Sequence, residues 1–458
     1  MSVRLIEGLA TTGPIAELFS DLSVLQAMLD FEAALARAEA HEGIIPPAAA
    51  DAIATAAKAD RFDATALAEL AHATLRAGTP GIPLVKILTE HVRTGNPAAA
   101  GFVHWGATSQ DVADTALVLL LKRAQSMLEP DLARIEDALR SLAKQHQGTV
   151  MLSRTLLQPG PPITFGLKAA GWLGAVHRTH RRLTVSFADA LIVQFGGASG
   201  TLAALGQHGP AVGKALAKEL GLKYPEAPWH THRDRLAGLL CDCGVLTGAL
   251  GKMAHDITLL MQGEVAEAAE PSAPGRGGSS TMPHKRNPIG CSLTLAAAHR
   301  VPGLVATFLS TMVQEHERGA GSWQAEWPTV AAIIQATGLA VAAMAEALEG
   351  LTVDPAQMRA NMDATHGVIF AERAMMLLAP GLGRDVAHKL LQEALRQSTA
   401  DGRRLVDVLG EMPEVMRLLD RATLEKLDVP QEYLGSADTF RIRLLSSVEQ
   451  HNSRDEKE

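Results

Sequence analysis

The densest chemistry in the chain lies at 275–290, GRGGSSTMPHKRNPIG, where three glycines and two serines run into Met282-Pro283 and then His284, Lys285, Arg286 and Asn287. Pro288 follows, and proline suits a first helical turn because that position needs no N–H. Glycines let such a loop close over a ligand, and a helix N-terminus flanked by Lys285 and Asn287 suits an anion. The same composition also fits a solvated linker. A second polar run, HWGATSQD at 104–111, brings a histidine, two hydroxyls and a carboxylate to the start of a helical pattern. Ser109 or Asp111 would cap that helix whatever else it does. His230 and His232 form an H-x-H pair that invites a metal, yet no third ligand stands at useful spacing. Glu315-His316-Glu317-Arg318 is not H-E-x-x-H, because no histidine follows four positions after His316. Arg318 reads instead as a helical cation able to meet a carboxylate. Cys241, Cys243 and Cys291 contain no C-x-x-C and read as inert thiols. Gly213-Lys214 lacks the upstream spacing of a P-loop, and no G-x-G-x-x-G is present. No cofactor and no metal are expected.

These groups need a frame. At 458 residues the chain exceeds one compact core, and the length suggests about three units. A hydrophobic share of 47% with aromatics at 4% favours helices over sandwiches or barrels. Residues 21–42 place Leu25, Met28, Leu29, Ala33, Leu35 and Ala36 near helical spacing, stopped by Gly43 and Pro46-Pro47. The Gly- and Pro-rich stretch from Leu75 to Ala107 reads as a loop that delivers the HWGATSQD side chains. From Thr115 the helical pattern returns with Leu132, Ile135, Leu139 and Leu142, and Pro130 marks a break or kink. The stretch 235–269 carries the stripe Leu246, Leu250, Met253, Ile257 and Leu260, a helix of up to ~50 Å. Asn287–Val313 and Glu326–Leu351 complete a set too long for globin-like packing, so a long central bundle is expected. No strand alternation and no internal repeat are evident. Past Asp354-Pro355 the helices shorten, and the tail HNSRDEKE reads as frayed.

Charge and targeting narrow the partners. A formal charge of −8 without a basic run gives no footprint for nucleic acid. The apolar stretch Trp327–Ala345 holds Pro328, Thr329, Gln335, Thr337 and Gly338, and reads as a buried bundle helix rather than a membrane span. The N-terminus carries glutamate among its first ten residues and no apolar h-region, so a cytoplasmic protein is expected.

GSSTMPHKRNP resembles the substrate-lid loop of the aspartase/fumarase superfamily. LDFEAALARAEAHEGIIP (29–46), HWGATSQDVADTA (104–116), VQFGGASGTLAALG (193–206), PWHTHRDR (228–235) and QEHERGAGSWQAEW (314–327) are similar to its lactonising branch, the cycloisomerases of 3-carboxy-cis,cis-muconate. The likeness runs from about residue 15 to 350 and is slight beyond. It implies an all-α fold of three helical domains around a long central bundle, at 1–113, 114–354 (lid 272–288) and 355–458. It implies a homotetramer with active sites shared between subunits. The activity implied is cofactor-independent conversion of a small polycarboxylate, 3-carboxy-cis,cis-muconate, to 4-carboxymuconolactone in protocatechuate breakdown (the β-ketoadipate route). Ser280 would carry the proton, with Ser279 left as the alternative and Lys285 stabilising the alkoxide. His104, Thr108, Ser109, Arg154, Leu156, Gln158, His232, Asn287 and Arg318 would bind substrate, and Lys285, Arg318 and Arg154 would face the developing charge.

Leu156 is the informative departure. Adenylosuccinate lyases of this superfamily carry a histidine there that protonates a departing amine, whereas a lactone opens to a carboxylate that needs no proton. Related cycloisomerases often have tryptophan at this position, so the 3-substituent stays open and includes a sulfonate. A fumarate-releasing lyase of the adenylosuccinate type and a non-catalytic scaffold are the other readings.

Overall fold

The computed structural model describes residues 5–272, 277–279 and 281–455. The fold is all-α, and among the described residues the paired strands are short and antiparallel. The chain divides into two compact units, each assembled from three separate stretches. The first comprises Met1–Leu132, Thr179–Gly251 and Leu293–Ala343, the second Ala133–Arg178, Lys252–Ser292 and Met344–Glu458.

In the first unit the helix Asp21–His41 is capped by Ser20, whose hydroxyl accepts from Ser23 N, and it ends just before Gly43 at φ 72°. Leu25, Met28, Leu29, Ala33, Leu35 and Ala36 are all buried, as their spacing predicts. Each buried leucine contributes roughly 2 kcal/mol of transfer energy. This helix packs on Pro47–Ala56 and Gly209–Leu220. The expected loop from Leu75 to Ala107 is instead largely the helix Gly81–Gly95. Pro80 is its N-cap residue and Gly81 and Pro83 fall in its first turn, where no N–H is required, so they start the helix rather than forbid it. Gly81 is forced by packing, since a Cβ there would lie 2.7 Å from Ser109 Cβ.

The long helices are present with shifted ends. Ser109–Gln145 runs through Pro130 without ending. The stretch expected at 235–269 is Asp234–Leu260, which at 27 residues spans ~40 Å. The others are Ile289–Ser310 and Ser322–Glu349. Arg318 therefore lies in the loop between helices, not on one. Within the first unit, a Cβ at Gly251 would meet Ala298 Cβ at 2.5 Å, so small residues bring two of these helices together.

The second unit holds strands that the sequence pattern missed. Val150–Thr155 pairs antiparallel with Gln158–Thr164, leaving Leu156 and Leu157 as a two-residue turn. Val150 and Leu152 belong to a core with Phe370, Leu378, Leu391, Leu405, Leu409, Leu424 and Leu427. The C-terminal helices are thus the floor on which the hairpin rests. Cys241, Cys243 and Cys291 are all free thiols.

Candidate functional site

In the first unit the HWGATSQD run is organised by Asp111, in the first turn of Ser109–Gln145. Its carboxylate accepts from Thr108 N at 3.1 Å, the reach-back half of a capping box. It also accepts from Gly196 N at 3.1 Å and Gly197 N at 2.9 Å, and pairs with His230 Nε2 at 2.7 Å. One carboxylate therefore joins the hydroxyl loop, the GGASG loop and the PWHTH segment. The glycines there are close-packed: a Cβ on Gly196 would sit 2.6 Å from the His230 ring.

Below this lies a charged core that sequence reasoning did not single out. Arg233 is buried and donates to Asp114 at 2.8 and 3.0 Å and to Glu326, while its guanidinium lies over Trp229, 4.7 Å from the ring centre. Burial alone would raise Asp114, but the guanidinium holds it below the usual carboxylate range; burial pushes Glu326 up to about 7 despite the same partner. Trp323 Nε1, Gln194 Nε2 and Gln110 Nε2 also donate to Asp114. Removing one member of such a set costs about 3–5 kcal/mol, because a charge is left buried and unpaired. The signal was available in PWHTHRDR, where Arg233 stands beside the histidines, but its partners are 119 and 93 residues away.

The candidate residues of this unit separate. His104 Nδ1 lies 2.7 Å from Glu32 Oε1, so this histidine is tied to the helix Asp21–His41. Thr108 and Ser109 are half-buried at the helix mouth. Arg318 donates to Gln110 Oε1 at 3.0 Å and to the carbonyls of Gly197 at 2.6 Å and Ala198 at 3.1 Å. It carries its charge to the GGASG loop without a carboxylate in these bonds. His230 is buried against Asp111 while His232 is exposed, so the H-x-H pair points two ways. Among the described residues no cluster of three or more His, Cys, Asp or Glu could hold a metal.

In the second unit, Arg154 on the hairpin forms a two-pronged pair with buried Glu267 at 2.9 and 2.7 Å, and Asn361 donates to the same carboxylate at 2.8 Å. The guanidinium expected to meet substrate is thus largely committed to fixing the hairpin, with further N–H groups left over. Leu156 is 97% exposed and Leu157 73% exposed, and both have positive φ, 51° and 65°. Gln158 is exposed beside them.

Around the lid, Ser280 lies outside the described residues. Ser279 Oγ accepts from Thr281 N at 3.3 Å and Met282 N at 3.1 Å. The base of the loop is closed by Asn287 N to Gly277 O at 2.9 Å, with Gly277 at φ 69°. Lys285 is exposed and Asn287 half-buried. The helix N-terminus expected to face an anion is taken by the chain itself: Gly290 N and Cys291 N donate to Glu270 at 3.0 and 2.7 Å. Those N–H groups would be orphans of the first helical turn, and a buried internal carboxylate satisfies them.

Family models, relatives and a solved structure match this chain. Residues 9–303 match the family model "Lyase", and 367–444 match "Adenylosuccinate lyase C-terminus". The 3-carboxy-cis,cis-muconate cycloisomerase of Bradyrhizobium diazoefficiens is 49% identical over 94% of this chain and 94% of its own length. The nitrosuccinate lyase of Streptomyces davaonensis is 43% identical over 93% of this chain and 90% of its own. The crystal structure of a 3-carboxy-cis,cis-muconate lactonizing enzyme from Pseudomonas putida superposes with a TM-score of 0.91 at 46% identity, covering 97% of this chain and 99% of that one. The likeness thus continues through the C-terminal helices, which the motifs alone left out.

Proposed function

The chain belongs to the lyase family, alongside the 3-carboxy-cis,cis-muconate cycloisomerases, and on that membership we propose that it closes 3-carboxy-cis,cis-muconate to 4-carboxymuconolactone without a cofactor. The observation that carries this reading is the near-full-length identity to a cycloisomerase of that name. In lactonisation one substrate carboxylate adds to a conjugated carbon, and the electrons collect on a second carboxylate as an aci-carboxylate dianion. A proton then reaches the adjacent carbon. The main demand is stabilisation of that charge. A cation near 4 Å supplies ~4 kcal/mol of gross attraction at an effective dielectric of 20. Lys285, Arg318 and the remaining N–H groups of Arg154 are the proposed cations. His104, Thr108, Ser109, Gln158, His232 and Asn287 are the proposed polar contacts, with Leu156 as an apolar wall.

The proton is assigned to Ser280 or Ser279. Ser279 supports its own candidacy by accepting two backbone N–H groups, since such donors stabilise an alkoxide. Mixing the protein with the diene should bleach its ultraviolet absorbance with no metal or nucleotide added. Unchanged absorbance from pH 6 to 9 would defeat the reading. A second reading is kept for one reason: the nitrosuccinate lyase relative. Nitrite, like a carboxylate, leaves as a weak base, so the absence of an acid at Leu156 fits both reactions. Only an amine elimination of the adenylosuccinate type is disfavoured. Fumarate formed from nitrosuccinate but no bleaching of the diene would reverse the order, and a panel of 3-hydrogen, methyl, carboxylate and sulfonate dienes would define the pocket.

The assembly proposed is a cytoplasmic homotetramer with sites shared between subunits, the chain being divided in function at 113/114 and 354/355. Its support is the helix Ile289–Ser310. That helix is long and apolar enough to cross a membrane, yet its most apolar window is only 33% buried within the chain. A second copy of the chain would cover such a face.

A further inference from the structure

The helix Asp21–His41 carries two carboxylates, Glu32 and Glu39, to which none of the motif readings gives a role and which are both buried. Glu32 Oε1 lies 2.7 Å from His104 Nδ1, while Glu32 Oε2 is buried with no hydrogen-bond partner among the described residues. His104 opens the HWGATSQD run at φ 59°, a left-handed conformation that a non-glycine residue adopts only when its surroundings hold it there. Its ring is 15% exposed, and Nε2 makes no hydrogen bond among the described residues.

We propose that Glu32 is a positioning residue for substrate recognition: its carboxylate holds a proton on His104 Nδ1 and favours the charged ring, so that Nε2 presents an N–H to a substrate carboxylate. The proposal rests on the reading that the substrate is a polycarboxylate. The two charge states of the ring differ in kind. With Nδ1–H tied to Glu32, a neutral ring offers a lone pair at Nε2 and repels a carboxylate. A charged ring offers a donor there. Burial alone would favour the neutral ring. The Glu32 charge and hydrogen bond, with Asp111 adding to them, outweigh burial and hold His104 above the ordinary histidine range. Asp111 is itself engaged by His230 and by backbone N–H groups. Glu39, two turns beyond Glu32 on the same helix face, is pushed up to about 9 by burial and by Glu32. It stays neutral near pH 7, so the ring faces the single carboxylate charge of Glu32 from that helix.

The test uses the full chain and two independent readouts. The His104 ring is titrated by NMR with labelled histidine, its signals picked out from the 17 histidines by loss in His104→Asn. In the parent it should titrate above the ordinary histidine value of 6.5; a value at or below that overturns the proposal without any substrate or variant. Glu32→Gln keeps the shape and removes the charge, and should lower that titration by about one unit or more. For the diene at a pH between the titrations measured for the parent and variant rings, KM should rise several-fold with kcat little changed, while well below both the variant should approach the parent. Glu32→Asp should restore part of the loss, and Glu39→Gln should leave the pH profile of the parent. A folded Glu32→Gln with an unchanged titration, or with a lowered titration and unchanged KM, overturns the proposal and leaves the pair a structural tie. Failure of the parent to turn over the diene would count against the substrate instead, and the ring titration would still stand by itself.

Discussion

A carboxyl group without hydrogen-bond partners is costly to bury in its ionised form, and Glu39 is such a group: both oxygens are buried with no partner among the described residues. Its pKa is pushed from 4.5 up to about 9. Between those values the folded protein keeps a proton that the unfolded chain has released. Raising the pH across that window therefore favours unfolding, by roughly 1 kcal/mol per pH unit. Glutamine mimics the neutral acid and releases nothing. Glu39→Gln should melt higher than the parent by a margin that widens from pH 5 to pH 9, measured by thermal denaturation in parallel buffers. A constant margin would show that Glu39 is ionised throughout. Arg233 illustrates another solution at the same depth, where two carboxylates share one guanidinium.

The hairpin Val150–Thr164 shows what a single element adds and why it was hard to read. Leu156 and Leu157 occupy a two-residue turn in which both φ angles are positive, positions that an Asn-Gly pair fills far better. A leucine in that region costs about 1–2 kcal/mol. Strain and exposure together at a candidate wall of the site are what a functional constraint leaves behind. The double variant combining Leu156→Asn with Leu157→Gly should raise the melting temperature while lowering kcat/KM for the diene. A rise in both would free these leucines from any part in binding. The helices were legible because apolar spacing survives any tertiary detail: Leu25, Met28, Leu29 and Leu35 are buried as their period requires. The hairpin was not, since Pro159, Pro161 and Pro162 argue against a strand and the turn lacks its usual glycine. The motif residues were legible as a set, but their partners were not. Asp111 holding Gly196 and Gly197, Arg154 held by Glu267, and Glu270 capping the lid helix all join positions far apart in sequence, where no spacing rule reaches.

For the molecule as a whole, a formal charge of −8 excludes polyanions and still permits a small polycarboxylate, because binding one needs only a few local cations. The proposed tetramer turns on the helix Ile289–Ser310, whose Leu309 is 43% exposed and whose apolar window is mostly uncovered by its own chain. A charge placed on that face would have to be buried between copies, so Leu309→Glu should shift the protein to smaller species in sedimentation and take activity with it. Sharing of sites between subunits has a sharper signature. Ser280→Ala alters the lid and Thr108→Ala the hydroxyl loop, and each should be inactive as a pure assembly. If one site draws these segments from different copies, then random mixing of the two variants rebuilds some sites from unaltered segments only. An equimolar co-expressed mixture should recover about a quarter of parental turnover, the statistical share expected when two segments are contributed independently. If every site were built within one chain, each would carry one defect or the other, and the mixture would stay as inactive as its components.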